Sequence, residues 1–508
     1  MKSKNSSGHD ELSSRLLKSI GNSIAKPLSI LVNKSMLSGV FPDKLKIAKV
    51  IPIYKNKEKS NVSNYRPISL LSSISKILEK VMHNRLYSFF QSKNMFYKNQ
   101  YGFRQKHNTI DAVTKLIDDI AKSYDAKQST LAVYCDLSKA FDTIDHNILL
   151  QKLNFYGIRG VALKWFKSYL SHRTQYVHYK GHNSCTKNIQ CGVPQGSVLG
   201  PLLFIIYTND LPGCLHQTKS ILFADDTTIY LSSDNYNNMH TIMNHELLQL
   251  TDWFRANKLS LNVSKTNYMI FTNTNQQHNP LDIQLANTTL KKTSCAKFLG
   301  IHIDENLRWN VHIREIIKKL TSSFYAINKA KHLLNRKHLS TLYYSMVYPY
   351  LAYGITMWGT TSKVHLSKLI TKQKKIIRII AGANYCAHTE PLFKSLNMLK
   401  FEDIFRLVSL NYVYKYIQGN LPSPLSEILR LKQDYHNRDT RQSVAYKLHV
   451  SKPRTIIASQ SIASVGPKLW NEIPLSMYIQ NSILISRHTF TKRVKFKMLD
   501  KYVATVRK

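Results

Sequence analysis

The stretch ILFADDTTIYL, residues 221–231, decides the fold. Two apolar, β-branched runs flank Asp225 and Asp226, the pattern of a β-hairpin whose turn is made of two adjacent carboxylates. A third acid, Asp136, directly follows another apolar run, Leu131-Ala132-Val133-Tyr134-Cys135, in a strand over 131–137. Ionised carboxylates inside apolar strands are costly unless paired or bound to a cation, and two side by side repel. Taken singly, each has a bland reading: Asp136 caps a turn before Ser138, and Asp225-Asp226 is an ordinary loop. Taken together, they suit two hard divalent ions about 3.5 to 4 Å apart, held by aspartates from neighbouring strands as in phosphoryl-transfer sites.

These acids stand out because the chain has few. Its 508 residues carry 72 Lys plus Arg against 30 Asp plus Glu, a formal charge of +42. That field favours phosphate backbones or anionic lipid, with nucleic acid the first expectation. With 43% hydrophobic residues, 10% aromatic, 17 Gly and 15 Pro, the chain can bury a large core over two to four domains, which excludes disordered, collagen-like and low-complexity classes. Six cysteines (Cys135, Cys185, Cys191, Cys214, Cys295, Cys386) without a CxxC pair exclude a disulfide framework and fit a reducing compartment. The start, MKSKNSSGHDELSS, lacks an apolar stretch, and runs such as LLFIIY (202–207) fall far short of a membrane span. The expectation is a protein neither secreted nor integral to a membrane.

The order of elements reads as α+β. Leu12, Leu16, Ile20, Ile24 and Leu28 predict one helix from an Asp10 N-cap to Gly39, and a second helix covers 74–90. KIAKVIPIYK (46–55) reads as a strand, and NYRPISL (64–70) carries a proline that disfavours a helix start. Helical patterns at 147–156, 161–170 and 201–211 separate the two acid-bearing strands. A helix over 240–257 leads into LSLNVSKTNYMIF (259–271), and KFLGIHID (297–304) reads as one strand. Beyond it the chain is almost wholly helical and strongly basic: 15 Lys/Arg face two acids, Glu315 and Glu390, over 311–400, and 15 face four over 431–508. An ordinary solvated helix face would interleave Glu with Lys at i, i+4, which is largely missing here.

Asp136 is followed by LSKAFD, with Phe141 five residues on, and CGVPQGSVLGP (191–201) lies between the two carboxylate strands. In this order the pieces resemble the reverse transcriptase family: Asp136–Phe141 its motif A, Gly192–Gly200 motif B, and Phe223-Ala224-Asp225-Asp226 motif C. Asn64-Tyr65-Arg66-Pro67-Ile68-Ser69-Leu70 and Gln100-Tyr101-Gly102-Phe103-Arg104 resemble its finger motifs. Leu261-Asn262-Val263-Ser264-Lys265-Thr266 resembles motif D and Phe298-Leu299-Gly300-Ile301 motif E, so the likeness covers roughly 45–305. Gly466-Pro467-Lys468-Leu469-Trp470-Asn471 resembles the C-terminal segment of jockey-like non-LTR (LINE) retrotransposon proteins.

The resemblance implies a right-hand polymerase: an N-terminal helical lead-in over 1–44, fingers and palm over 45–305, a helical thumb over 306–400 and a basic extension over 401–508. It implies an RNA-directed DNA polymerase that extends a primer 3′-hydroxyl with dNTPs on an RNA template. Asp136, Asp225 and Asp226, with Leu137 beside them, would hold two Mg²⁺ ions, Mn²⁺ being possible, and Lys265 would protonate the departing pyrophosphate. Phe141 would exclude a 2′-hydroxyl, Gln195 and Gly196 would meet the incoming nucleotide, and Arg66 and Arg104 would lie near triphosphate or template. Phe298, Leu299 and Gly300, with Lys318, Lys319, Arg336, Lys337, Lys372, Lys374, Lys375 and Arg378 beyond Trp309, would flank the template–primer duplex. Tyr343, Tyr344, Tyr348, Tyr350 and Tyr353 read mostly as helix core. Asp145 reads as an N-cap and Asp142 as orienting a neighbour, while His182, Cys185 and Cys191 match no zinc pattern. The alternative is a catalytically silent retroelement relic that binds RNA or DNA through its charge. An endonuclease is expected in an intact element and has no room in this chain, which opens on Gly8-His9-Asp10 and reads as a truncated frame. The expected location is intracellular, nucleus and cytoplasm, with element RNA and without a membrane.

Overall fold

The computed structural model describes residues 3–502 except 57, 139, 273–280, 434–445 and 481–482. The chain opens with α1 (Ser14–Ser19) and α2 (Gly21–Ser38), which meet at Ile20 instead of forming one helix. Asp10 is not the N-cap. Its carboxylate accepts from Ser72 Oγ at 2.6 Å, and Ser13 caps α1 through Leu16 N. Next come β1 (Ile47–Tyr54), β2 (Tyr65–Leu70), α3 (Ser73–Ser92) and α4 (Thr109–Asp125). α4 has no counterpart in the sequence reading, although Ile110, Val113, Ile117 and Ile120 recur at helical spacing behind an Asn108 cap.

β3 (Ser129–Cys135) leads to α5 (His146–Phe155), α6 (Gly160–Leu170), β4 (Arg173–Tyr179) and the short β5 (His182–Asn183) and β6 (Lys187–Ile189). Asp145 caps α5 as expected, accepting from Asn147 N and Ile148 N. α7 (Gly200–Tyr207) stops short of the expected end at 211: Lys152 Nζ takes the Tyr207 carbonyl, and Pro212 cannot continue a helix. The hairpin β7 (Lys219–Phe223) and β8 (Asp226–Ser233) follows, then α8 (Tyr236–Ala256), β9 (Asn267–Phe271), and the two-residue strands β10 (Gln284–Leu285), β11 (Thr288–Thr289) and β12 (Lys291–Lys292). The expected single strand over 297–304 is a second hairpin, β13 (Cys295–Phe298) and β14 (Ile301–Asp304). Its turn, Leu299-Gly300, has both residues at positive φ, and the sequence lacks the Asn-Gly signal that usually marks such a turn.

Two sheets position the chemistry. The first joins β2 to β1 antiparallel, β1 to β4 parallel, and β4 to β5 and β6. The central sheet runs β12-β9-β3-β8-β7. β3 is covered on both faces, which explains its nearly unbroken apolar run. Leu131, Val133 and Cys135 join one buried cluster with α3, α5, α7 and α8, while Ala132 joins another with α4.

That second cluster runs on through α9 (Asn310–Ala330), α10 (Arg336–Met346), α11 (Tyr348–Ala352), α12 (Ile355–Trp358), α13 (Lys363–Ala381), α14 (Thr389–Ser395), α15 (Phe401–Ile417), α16 (Ser423–Ser426), α17 (Ile456–Gln460), α18 (Ile462–Asn471) and α19 (Arg487–Asp500). Leu399 and Phe401 both belong to it, so the core is continuous across residue 400. Within α18, Trp470 is fully buried and donates to Tyr446 O, while Asn471 holds both Leu448 backbone groups, which gives the 466–471 segment a packing role. Of the five tyrosines, Tyr343 is core and Tyr344 is 42% exposed. No helix among the described residues is long and apolar enough to cross a membrane.

A carboxylate-lined candidate active site

Strand register brings the three acids together. β3 and β8 pair antiparallel with Cys135 opposite Thr227, so Asp136 and Asp226, each one residue beyond that pair, emerge at the same end of adjacent strands. The turn of the β7–β8 hairpin is Ala224-Asp225, with Asp226 already paired to Phe223, a shift of one residue from the expected two-carboxylate turn. Ala224 sits at φ +57, a strained position for a residue with a Cβ. The segment before α4 braces it: Gln100 Oε1 accepts from Ala224 N at 3.3 Å and from Gly102 N at 2.8 Å. Gly102 lies so close that a Cβ there would come within 2.3 Å of Ala224 N, which only glycine permits.

The electrostatics are those of a site missing positive charge. Burial of its carboxyl, then Asp225 and Asp136, pushes Asp226 up to about 6. Asp225 is also raised, first by burial and then by Asp136, against the pull of Arg66 and Lys55. Both side chains nevertheless reach solvent at the rim. Asp136 has a cation on it, Lys265 Nζ at 3.1 Å from Oδ2. No cluster of three Asp, Glu, His or Cys side chains among the described residues is drawn tight enough to grip an ion as it stands. An all-oxygen set of three mutually repelling carboxylates still matches what a hard divalent cation requires, with Lys265 standing where one would bring positive charge. Leu137 is buried and bridges to Leu261, next to Asp136 O, which accepts from Asn262 N.

Around the acids, a cleft of about 290 Å³ is lined by Asp136, Asp226, Lys265 and the Phe298-Leu299-Gly300 turn, which brings these expected residues to one place. Phe141 is half-buried, stacked on Phe204 at 4.7 Å with Phe103 edge-on at 6.1 Å, a ring fixed on an aromatic floor. Gln195 Nε2 donates to both Asp142 oxygens, at 2.9 and 3.0 Å, so Asp142 orients this side chain as expected. Arg66 is exposed and within the field of Asp225. Lys55, one residue beyond β1 and not among the expected site residues, acts on Asp225 in the same way.

One expected contact needs correction. Arg104 is turned into the protein: its Nη1 donates to Tyr97 O at 2.8 Å and Gln100 O at 3.3 Å, and the guanidinium lies over Phe96. Through Nη1 it braces the segment behind the hairpin turn, and the half-buried side chain faces the protein. Arg378 of α13 is half-buried and donates through Nε to Ala387 O. The other basic residues lie on the helical half. Lys318 and Lys319 are exposed on α9, the former paired with Glu315 at 2.6 Å. Lys372 on α13 lies over Phe324 of α9, Lys375 lies over Tyr385, and Lys374 is exposed. Arg336 and Lys337 are exposed at the start of α10, Arg336 touching Ser395.

Comparison with known proteins fits this arrangement. Residues 54–303 match the family described as "Reverse transcriptase (RNA-dependent DNA polymerase)". The chain is 31% identical over 420 residues to the probable RNA-directed DNA polymerase from transposon BS of Drosophila melanogaster, covering 79% of this chain and 45% of that protein. It is 28% identical over 421 residues to the RNA-directed DNA polymerase from mobile element jockey of the same organism, covering 81% and 46%. The chain thus spans about half the length of these curated relatives. Among solved structures, apo telomerase from Candida Tropicalis aligns over 81% of this chain and 73% of its own, at 11% identity and a TM-score of 0.41, a loose likeness. Residues 54–303 of this chain therefore form a reverse transcriptase domain of the non-LTR retrotransposon type.

Proposed function

We propose that the chain is an RNA-directed DNA polymerase that extends a primer 3′-hydroxyl with dNTPs along an RNA template. The observation that carries this reading is the placement of Asp136, Asp225 and Asp226 at one end of β3 and β8, beside Lys265 and opened toward solvent. In this assignment the central sheet is the palm, the β1–β2 sheet with Arg66 and Lys55 belongs to the fingers, and the helices from α9 onward form the thumb and its extension.

Asp136, Asp225 and Asp226 would hold the divalent cations, with Mg²⁺ as the resident ion. Bound there, such ions lower the pKa of the attacking hydroxyl and neutralise the leaving pyrophosphate. The chain's own groups do the positioning. Arg66 and Lys55 place positive charge beside Asp225, where a triphosphate would be drawn, and Lys265, 3.1 Å from Asp136, would give a proton to the departing pyrophosphate once released from that carboxylate. Phe141, immobilised on Phe204, leaves no room for a 2′-hydroxyl and so selects dNTPs. Exposed lysines of α9 and α13 hold the duplex by its phosphates without reading its sequence. Primer extension on an RNA template tests the reading, with Asp225→Asn alongside. DNA made by the unaltered chain and not by the variant supports it; no DNA, or equal amounts from both, contradicts it.

A further inference from the structure

One buried acid near the nucleotide-facing loop has no part in the chemistry above. Glu79, on α3, is fully enclosed. Its Oε2 accepts from Val198 N at 2.6 Å and Leu199 N at 3.2 Å, and its Oε1 accepts from Ser75 Oγ at 3.0 Å. The two amides it holds lie just ahead of α7, whose N-cap position, Leu199, has no side-chain acceptor, and Ser197 Oγ accepts from Gly200 N at 2.9 Å, so Ser197 and a carboxylate from another helix together fix the entry to α7. Arg173 of β4, equally enclosed, is the charge that steadies it: burial pushes the Glu79 carboxyl up, and Arg173 pulls it down.

The same segment, three residues earlier, makes the Gln195-Gly196 turn. Gln195 O accepts from Ser69 N of β2 at 2.7 Å, and Gly196, at φ +128, lies so close that a Cβ there would come within 2.4 Å of Ser69 O. The loop over 195–199 is thus clamped at one end by β2 and at the other by Glu79. A buried carboxylate is a costly way to hold two amides when an apolar contact would stabilise the fold as well. Such departures from the cheapest core gather where a site needs fixed geometry.

We propose that Glu79 is a positioning residue, which holds the Gln195-Gly196 turn at the height where an incoming dNTP meets it. This rests on the polymerase reading above. The test compares the full chain with Glu79→Gln, whose carbonyl can still accept from both amides, and with the pair Glu79→Met and Arg173→Met, which removes both charges and leaves the amides of Val198 and Leu199 unanswered. Hydrogen exchange over 195–199 rises about tenfold in the double variant and stays near the unaltered rate in Glu79→Gln. The dNTP KM rises about tenfold in the double variant, while kcat and primer–template affinity stay within about twofold. A folded double variant with unchanged exchange, or with unchanged dNTP KM, overturns the proposal. If the double variant does not fold, Glu79→Asp, one methylene short of the amides, carries the same two readouts. Failure of the unaltered chain to extend any primer would contradict the polymerase reading instead, and the exchange result still decides whether Glu79 holds the turn.

Discussion

Two groups of aspartates, one on α4 and one at the ends of β3 and β8, are treated in opposite ways. On α4, Asp111, Asp118 and Asp119 are buried, and each is answered. Asp119 takes Lys115 Nζ at 2.7 Å and Tyr230 Oη at 2.6 Å, Asp118 takes Lys122 at 2.7 Å, and Asp111 takes Asn108 Nδ2 at 2.8 Å. At the strand ends, Asp225 and Asp226 are exposed, and the charges that act on Asp226 are the other two carboxylates. Proteins satisfy the polar groups they bury for structure. They leave unbalanced charge where a ligand is to supply the balance, at some cost in stability. The difference separates scaffold from site more sharply than carboxylate content alone.

Exchanging roles between the groups should break this comparison if it is wrong. The largest effect is on the exposed side: Asp136→Asn or Asp225→Asn lowers primer extension by about a thousandfold or more, roughly 4 kcal/mol of barrier, while the melting temperature holds or rises. On the buried side, Asp119→Ala leaves Lys115 and Tyr230 without their partner and costs about 3 kcal/mol in a urea titration, with activity per folded molecule little changed. Asp111 sharpens the contrast through pH. Burial raises its pKa from 3.8 to about 6, so the folded chain binds this proton more tightly than the unfolded one. Its contribution therefore weakens the fold as pH rises from about 4 through 6, and Asp111→Asn removes that slope from a pH series of urea midpoints. The smallest effect belongs to the duplex-holding lysines. Replacing Lys374 and Lys375 together by Ala weakens primer–template binding equally for all sequences and reduces its log–log salt slope by up to about 2.

The strands bearing the acids and the helical second half were legible because each is a local pattern: a polar residue interrupting an apolar run, or a 3.6-residue period. Phe141 and Gln195 were named by resemblance, and the contacts that fix them, to Phe204 and to Asp142, come from the fold. What the sequence concealed depends on contacts far along the chain. Arg104 reads as a phosphate fork until the carbonyls of Tyr97 and Gln100 are seen to occupy it. Lys55 looks like the end of a strand until β1 is placed beside β2 and near Asp225. Glu79 is one of four charged residues on an amphipathic helix, and only the fold brings the segment before α7 to it. The one-residue shift of the Asp225 turn was set by Gln100 and Gly102 bracing Ala224, more than 120 positions away.

The central claim is that Asp136, Asp225 and Asp226 are placed to share divalent cations. Titration of the full chain with Mn²⁺, followed by electron paramagnetic resonance, tests it without relying on catalysis. The unaltered chain should take up Mn²⁺ that the double variant Asp136→Asn with Asp225→Asn does not, with tighter uptake once primer–template and dNTP are present. Equal uptake by the two proteins, or none by the unaltered chain under those conditions, would contradict the account.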